Sequence, residues 1–368
     1  MKDKLKQIHE QLQAAPALLA SKKVAAGFDG FVDSIVKVVN YKIEGKPPVY
    51  FRTIDEFGKY ISGKSGAGFS LESEELVQKL GGNMPIMANA LAQIGATVDC
   101  VGAFGIPTIA PAFADMQSNC KLHSFTNPGF TTAMEFVDGK IMLAQMTDLN
   151  HTNWETIKSA IGLDKIKLIF NNADLIALVN WSELDHSNNI WQGLLTDVLR
   201  NAVSKQKHFF FDLSDCSKRT SDSIRSAIKL ITQFRQHGKV TLSLNRNEAN
   251  ILYKTIIDPT TPVYLVNIGN QLVAALRTDT LIIHSSKTSI AWDANGIYSS
   301  EPVFIADPKF STGAGDNFNA GYCLGTLLGL DTELSLIMAN CTSNRYITYG
   351  ISPDVDVLLA YLSELMAL

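Results

Sequence analysis

Near the end of the chain, Thr312-Gly313-Ala314-Gly315-Asp316 sets residues without bulky side chains beside a carboxylate. Behind this turn Phe318, Leu324, Leu327 and Leu328 recur at roughly helical spacing, with Thr312 placed to cap the helix and Gly329 to end it. A Gly-Ala-Gly turn at a helix start leaves several backbone N–H groups uncovered. With the helix dipole they form an anion hole. Asp316 then falls in the first turn, next to whatever anion the hole holds. Like charges repel, so a carboxylate there serves binding poorly. It serves catalysis if it takes a proton from a nucleophile attacking the bound group. Phosphoryl transfer needs this pairing of oriented dipoles and a base. Four residues alone read as an ordinary Gly-rich loop with a capping Asp. The strand-like run from Ile305 to Phe310 and the amphipathic helix after it favour the chemical reading.

Elements able to position such a turn occur along the chain. Lys23 to Phe28 reads as a first strand that delivers Asp29 and Asp33, and carboxylates just past a strand end suit ligand contacts as well as simple turns. Gly81-Gly82-Asn83 lets backbone approach a ligand closely and leads into a small-residue helix, followed by the strand TVDCVGAFG. Val137-Asp138-Gly139-Lys140 between apolar runs predicts a hairpin, as does Asp293-Ala294-Asn295-Gly296. From about residue 165 strands alternate with amphipathic helices: LIALVN, HFFFDLS, VTLSLN and later VYLVNIG. The pattern implies an α/β fold with a central, mostly parallel sheet flanked by helices on both faces. Asn245 and Glu248, at the end of VTLSLN, fit a metal or phosphate site and equally a helix N-cap with an acidic first turn.

Gly58 to Ser65 satisfies G-x-x-x-x-G-K-[ST], but the mechanism of that motif requires a strand before it and a helix after it. Thr53-Ile54-Asp55-Glu56 is instead a capping box that opens a helix ending at Gly63, and the following SGAGFSLES reads as flexible loop.

Thr312, Gly313, Ala314, Gly315, Asp316, Phe318 and Gly321 together resemble the second signature of the ribokinase-like (PfkB) carbohydrate kinase family, with Phe310 where that family has a leading Asp and Asp307 three residues earlier. Leu80 to Ala96 resembles its first signature, with Ile86 at the position of a sugar-contacting Asn and Asn83 as the nearer substitute. The resemblance implies one ribokinase-like domain over 1–368, with a small β-sheet lid drawn from about 31–52 and 125–148. It implies ATP and Mg2+ as cofactors and phosphoryl transfer to a hydroxyl of a sugar-like small molecule. Asp316 is then the base, and the amides of Gly313, Ala314, Gly315 and Asp316 steady the phosphoryl group. Asp33, Asp29, Gly81, Gly82 and Asn83 hold the acceptor. Asn245, Asn267, Gly269, Thr312 and Asn340 attend the nucleotide, and Glu248 the metal. Asp212 and Arg219 loosely resemble a further D-x-N-x-R stretch, and a homodimer through the lid is the implied assembly. Kinases of the same fold acting on nucleosides or hydroxymethyl-pyrimidines, and a non-catalytic sugar or nucleotide sensor, are the competing readings.

The 368 residues are 46% hydrophobic and 18% charged, enough for a large core. A net charge of −4 without a basic block gives no pull toward nucleic acid or an anionic membrane. The amino-terminal twenty residues read as a surface helix, with neither signal peptide nor membrane span. Five scattered cysteines without CxxC spacing suggest reduced thiols in the cytoplasm, and the histidines show no zinc-ligand spacing.

Overall fold

Strand and helix alternate through a computed structural model that describes residues 1–200, 207–257, 264–306, 308–309 and 312–368. The strands are β1 (Lys23–Gly27), β2 (Phe31–Tyr41), β3 (Val49–Tyr50), β4 (Ser73–Gly81), β5 (Thr97–Gly102), β6 (Cys120–Ser124), β7 (Gly129–Phe136), β8 (Gly139–Gln145), β9 (Leu175–Leu178), β10 (Lys207–Asp212), β11 (Gly238–Asn245), β12 (Thr280–His284), β13 (Ser289–Asp293) and β14 (Gly296–Ser300). Nine of them form one sheet in the order β14-β13-β12-β11-β10-β9-β1-β5-β6. Pairing is parallel from β6 through β12, and the hairpin β13–β14 adds two antiparallel strands at the edge.

Why these runs become central strands is visible in their burial. Along β1, Ala25 joins one hydrophobic core while Val24 and Ala26 join the other; along β10, Phe209 and Phe211 face the first and Phe210 the second. Both faces are covered, so the sequence is apolar at every position instead of alternating. The parallel strands β10, β11 and β12 end side by side at Asp212, Asn245 and His284. Polar residues collect at that edge because the cores stop there.

A second sheet joins β2 to β7 in parallel and to β4 and β3 in antiparallel pairing, with β8 completing the predicted Asp138-Gly139 hairpin against β7. The sequence showed the hairpin of β7 and β8, whereas β4 begins where SGAGFSLES, read as flexible loop, ends, and it carries no strand signal of its own. From Ser73 to Gln78 β4 is exposed, so no buried alternation marks it. The run from Tyr264 to Gly269, read as a strand, is instead the start of the helix Leu265–Leu276. Ile268, Gly269, Leu272 and Leu276 bury one helical face, and this period overrides the β-branched composition. Ile305, Ala306, Pro308 and Lys309 lie in no strand, because the edge hairpin already ends at Ser300. Gly63-Lys64-Ser65 closes the helix Ile54–Ser62, which Thr53 caps by accepting from the Glu56 N–H at 3.1 Å, so it has no P-loop geometry.

Asp29, fully buried, ties three of these elements together. It follows β1, accepts from the Met84 N–H at 3.0 Å at the start of the helix Asn83–Gln93, and accepts from Asn180 Nδ2 at 2.6 Å beyond β9. Burial pushes its carboxyl from 3.8 up to about 7, against the pull of those donors. Asn180 Oδ1 is itself buried without a partner among the described residues. Asp29→Ala strands both donors and should cost roughly 2–4 kcal/mol in urea unfolding. In Asp29→Asn the Asn180 amide turns over and the pair remains satisfied. Because the folded-state pKa is raised, the stabilisation that Asp29 contributes is present at low pH and lost as pH rises to about 7. The parent should therefore lose stability relative to Asp29→Asn between pH 5 and pH 7.5, and a constant gap would rule this out.

Candidate active site

The helix Ala314–Leu327 is built to bring its amino end close to other elements. Gly313 precedes it at φ 91°, and a Cβ there would lie 2.6 Å from Tyr346 Oη. Among the described residues no side chain caps this helix, so the expectation of a Thr312 cap is corrected: it is the Thr312 carbonyl that is engaged, accepting from Tyr346 Oη at 2.7 Å. With the cap position left open, the first-turn N–H groups are free to meet a ligand. Further along, Gly321 and Gly325 let the helix Thr332–Tyr349 come so near that added Cβ atoms would sit 2.8 Å from the Cα atoms of Ala339 and Ser335. Leu330 N–H donates to the Gly325 carbonyl at 2.9 Å around Gly329, which ends the helix as its sequence suggests.

Asp316, 8% exposed, lines a cavity of about 270 Å³ together with Gly315, Asn83, Asn245, Glu248, Asp212 and Asp215. Asn245 and Glu248 form a reciprocal box: Asn245 Oδ1 accepts from the Glu248 N–H at 3.0 Å, and Glu248 Oε2 accepts from the Asn245 N–H at 2.8 Å. The N-cap reading of this pair is thus realised, at the mouth of the cavity. Asp212 accepts from Asn319 Nδ2 at 2.7 Å, and Asn319 Oδ1 accepts from Ser243 Oγ at 2.8 Å, so one buried amide links the helix to β10 and β11. Burial drives Asp316 well above the ordinary carboxylate range, and the charges of Asp212 and Asp29 push it further. Burial likewise raises Glu248, with Asp212 and Asp215 adding to it, and raises Asp212. Crowded carboxylates of this kind repel one another unless a proton or a cation neutralises them.

Gly315, Asn245 and His284 also line a second cavity of about 580 Å³, walled by Val303, Phe304, Ile347 and Phe318. The Gly-Ala-Gly turn thus stands between an acidic hole and an apolar one large enough for a nucleotide-sized ligand. His284 stacks on Phe318 with ring centroids 4.6 Å apart, and burial holds it down to about 4, so it is neutral at pH 7. Asn340 borders the same cavity, with its amide donating to Ser289 Oγ at 2.9 Å and Ser300 Oγ at 2.8 Å. Asn83 faces the acidic cavity, whereas Asn89 is engaged with the Gln117 N–H. Asp33 sits on β2, buried, near enough for its charge to raise Asp316. Gly81 and Gly82 make room there: Cβ atoms would fall 2.4 Å from Asp33 Cγ and 2.5 Å from Asp29 Oδ2.

Asn267 and Gly269 are not at the site. They belong to the helix Leu265–Leu276, where a Cβ on Gly269 would lie 2.1 Å from the Trp292 ring. The strand end that reaches the site is His284, opposite Asn245 in register. Sequence reasoning passed over His284, Asp215 and Asn319; a His closing an apolar strand run beside a helix Phe leaves no spacing to read. Asp307 and Phe310 lie outside the described residues.

The sequence profile of prokaryotic ketohexokinase matches residues 2–365. The chain belongs to the prokaryotic ketohexokinase family. It is a sugar kinase, a phosphotransferase with an alcohol acceptor. A ketohexokinase from Haloferax volcanii is 26% identical over 356 residues, 95% of this chain and 93% of its own. A probable sugar kinase from Rhizobium etli CFN 42 superposes with a TM-score of 0.66 at 13% identity, covering 94% of this chain and 99% of that one. Arabidopsis thaliana ribokinase, solved with ribose and ATP, gives 0.62 at 17% identity, over 93% and 98%. Both structures share the ribokinase fold expected from the motifs.

Among the described residues no helix is long and apolar enough to cross a membrane, and no three His, Cys or acidic side chains converge to hold an ion alone. Asp212, Asp215, Glu248 and Asn245 line one cavity with oxygen atoms but do not converge on a single point. Magnesium commonly takes one or two protein carboxylates and completes its shell with phosphate and water. In this ketohexokinase-family chain the Asn319 bridge supports that acidic wall. Asn319→Ala leaves a carboxylate oxygen and the Ser243 hydroxyl without their partner and should cost roughly 2–4 kcal/mol in chemical denaturation. Unchanged stability would show that the bridge contributes nothing.

Proposed function

We propose that this chain transfers the γ-phosphoryl group of MgATP to a hydroxyl of a ketohexose, with Asp316 as general base. The carrying observation is the position of Asp316: buried in the first turn of an uncapped helix, where the acidic cavity and the nucleotide-sized one meet. The ketohexose comes from the name of the Haloferax volcanii relative and of the family.

In the reaction the acceptor oxygen attacks the γ-phosphorus as the bond to the β-bridging oxygen breaks, and ADP leaves. The hydroxyl proton passes to Asp316 Oδ. The amides of Gly313, Ala314, Gly315 and Asp316 donate to the transferring oxygens, and their dipoles need no reorganisation as charge shifts. Asn245 and Glu248, with Asp212, would hold magnesium, which would supply neutralisation of phosphate charge. Asp33, Asp29, Asn83 and the Gly81-Gly82 turn shape the acceptor end, and Asn340 and the Thr312 backbone border the nucleotide. The small sheet is the lid over the sugar. Its exposed Leu76, Val77, Met142 and Leu143 suit pairing with a second copy. Five free cysteines fit a reducing cytoplasm.

Asp316→Asn should keep thermal protection by ATP and by the sugar, while kcat falls by about 10²–10⁴-fold in an ADP-release assay. Near-normal turnover in that variant would remove Asp316 as the base. A second consequence concerns pH. Burial and neighbouring charges raise Asp316, and it acts as a base only when deprotonated, so kcat/KM should rise with pH through an acid limb above the ordinary carboxylate range. Higher magnesium should move that limb to lower pH, because a cation favours the carboxylate. A profile flat down to the ordinary carboxylate range contradicts the assignment.

A further inference from the structure

The face of the small sheet that carries Asp33 holds charges that the transfer chemistry leaves unused. Asp33 lies opposite Lys79 in the antiparallel β2–β4 register and opposite Thr131 in the parallel β2–β7 register. Directly paired residues on neighbouring strands put their side chains on the same face, with Cβ atoms about 4.5–5.5 Å apart. Three strands therefore set Lys79, Asp33 and Thr131 in one row. Two residues on from Lys79, Gly81 supplies the space the carboxylate fills. Next along the sheet, Glu135 and Lys140 pair at 3.1 Å on that same face.

We propose that Lys79 is a positioning residue for the sugar acceptor: from β4 it holds the Asp33 carboxylate ionised and aimed, so that Asp33 can accept hydrogen bonds from the hydroxyls of a neutral sugar. This inference rests on the kinase reading above and extends it to how the acceptor is gripped. Its physical basis is a conflict at Asp33. A carboxyl group accepts through both oxygens most strongly when ionised, yet 94% of this residue's surface is covered, and burial favours the neutral acid. Burial raises Asp33; the Thr131 hydroxyl and the Lys79 and Lys140 charges oppose it, in that order. Lys79 feels the reciprocal pull: burial lowers it, and Asp33 is the first group that raises it. Lys140 is already paired with Glu135, which leaves Lys79 as the cation set directly across from Asp33. The groups facing Asp33 are thus Lys79 from β4, Thr131 from β7, Lys140 from β8, and Asp316 across the site.

The test uses the full chain with a ketohexose and MgATP. Lys79→Met keeps the length of the side chain and removes its charge. It should raise KM for the sugar by roughly 10–100-fold, the worth of a charged hydrogen bond, with kcat at saturating sugar and KM for ATP within about twofold of the parent. Lys79→Arg should recover most of the loss. In an Asp316→Asn background, where Asp316 no longer titrates, sugar binding followed by thermal protection should lose its acid limb to higher pH when Lys79 becomes Met. A merely structural lysine would not move that limb. An unchanged sugar KM, or equal losses for sugar and ATP with an unmoved limb, overturns the proposal. Activity of the parent and its loss in Asp316→Asn are read in the same assay, so failure of the kinase reading is seen separately.

Discussion

The arrangement depends on one constraint, the burial of several carboxylates around the amino end of a single helix. Asp316, Glu248 and Asp212 are all pushed toward their neutral forms by loss of water, and the charge of Asp212 adds to the rise of the other two. Such a cluster opposes folding and persists only where surrounding contacts over-determine it. Those contacts are on the two faces of the nine-stranded sheet, where large apolar cores pack against the strands that carry the acids. Gly321 and Gly325 add the close approach of the helix Thr332–Tyr349, which fixes the turn against Tyr346. The repulsion is thus held in place by apolar packing at a distance.

The parallel sheet explains why these groups meet at all. Strands running in one direction end at one edge, so Asp212, Asn245 and His284 arrive together although they are far apart in sequence. Each is then secured locally: Asp212 by Asn319, Asn245 by its box with Glu248, His284 by its stack on Phe318. Open α/β sheets place ligands outside the carboxyl ends of their strands for this reason.

Features with local physical causes were legible in the sequence. The Gly313–Asp316 turn, the Asn245–Glu248 box, the Thr53 cap and the Asp138-Gly139 hairpin each write their geometry into a few neighbouring residues. Features decided by distant contacts were not. The exposure of β4 erased its period, and the Tyr264-to-Gly269 run hid a helix whose burial pattern depends on Trp292 and the sheet beneath it. His284 carried no signal because its importance comes from strand register. Arg219, the far end of the loosely matched stretch, lies over the Trp181 ring and pairs with Asp185, a structural use that the motif could not distinguish.

The two sheets divide the electrostatic work, and the division bears on specificity. Beside the large sheet, Asp212, Glu248 and Asp316 form no ion pair among the described residues. On the small sheet Glu135 meets Lys140 and Asp33 faces Lys79, so charges are balanced before anything binds. A balanced wall neither attracts nor repels a neutral polyol through long-range fields. It discriminates by the directions of its donors and acceptors, which suits an uncharged sugar. Yet the halves are not independent, since Asp33 contributes to the rise of Asp316. Hydrogen bonds donated to Asp33 favour its carboxylate, so whatever fixes the charge on the small sheet is felt at Asp316. The two sheets are thus coupled electrostatically through one pair of carboxylates, without any movement of the backbone.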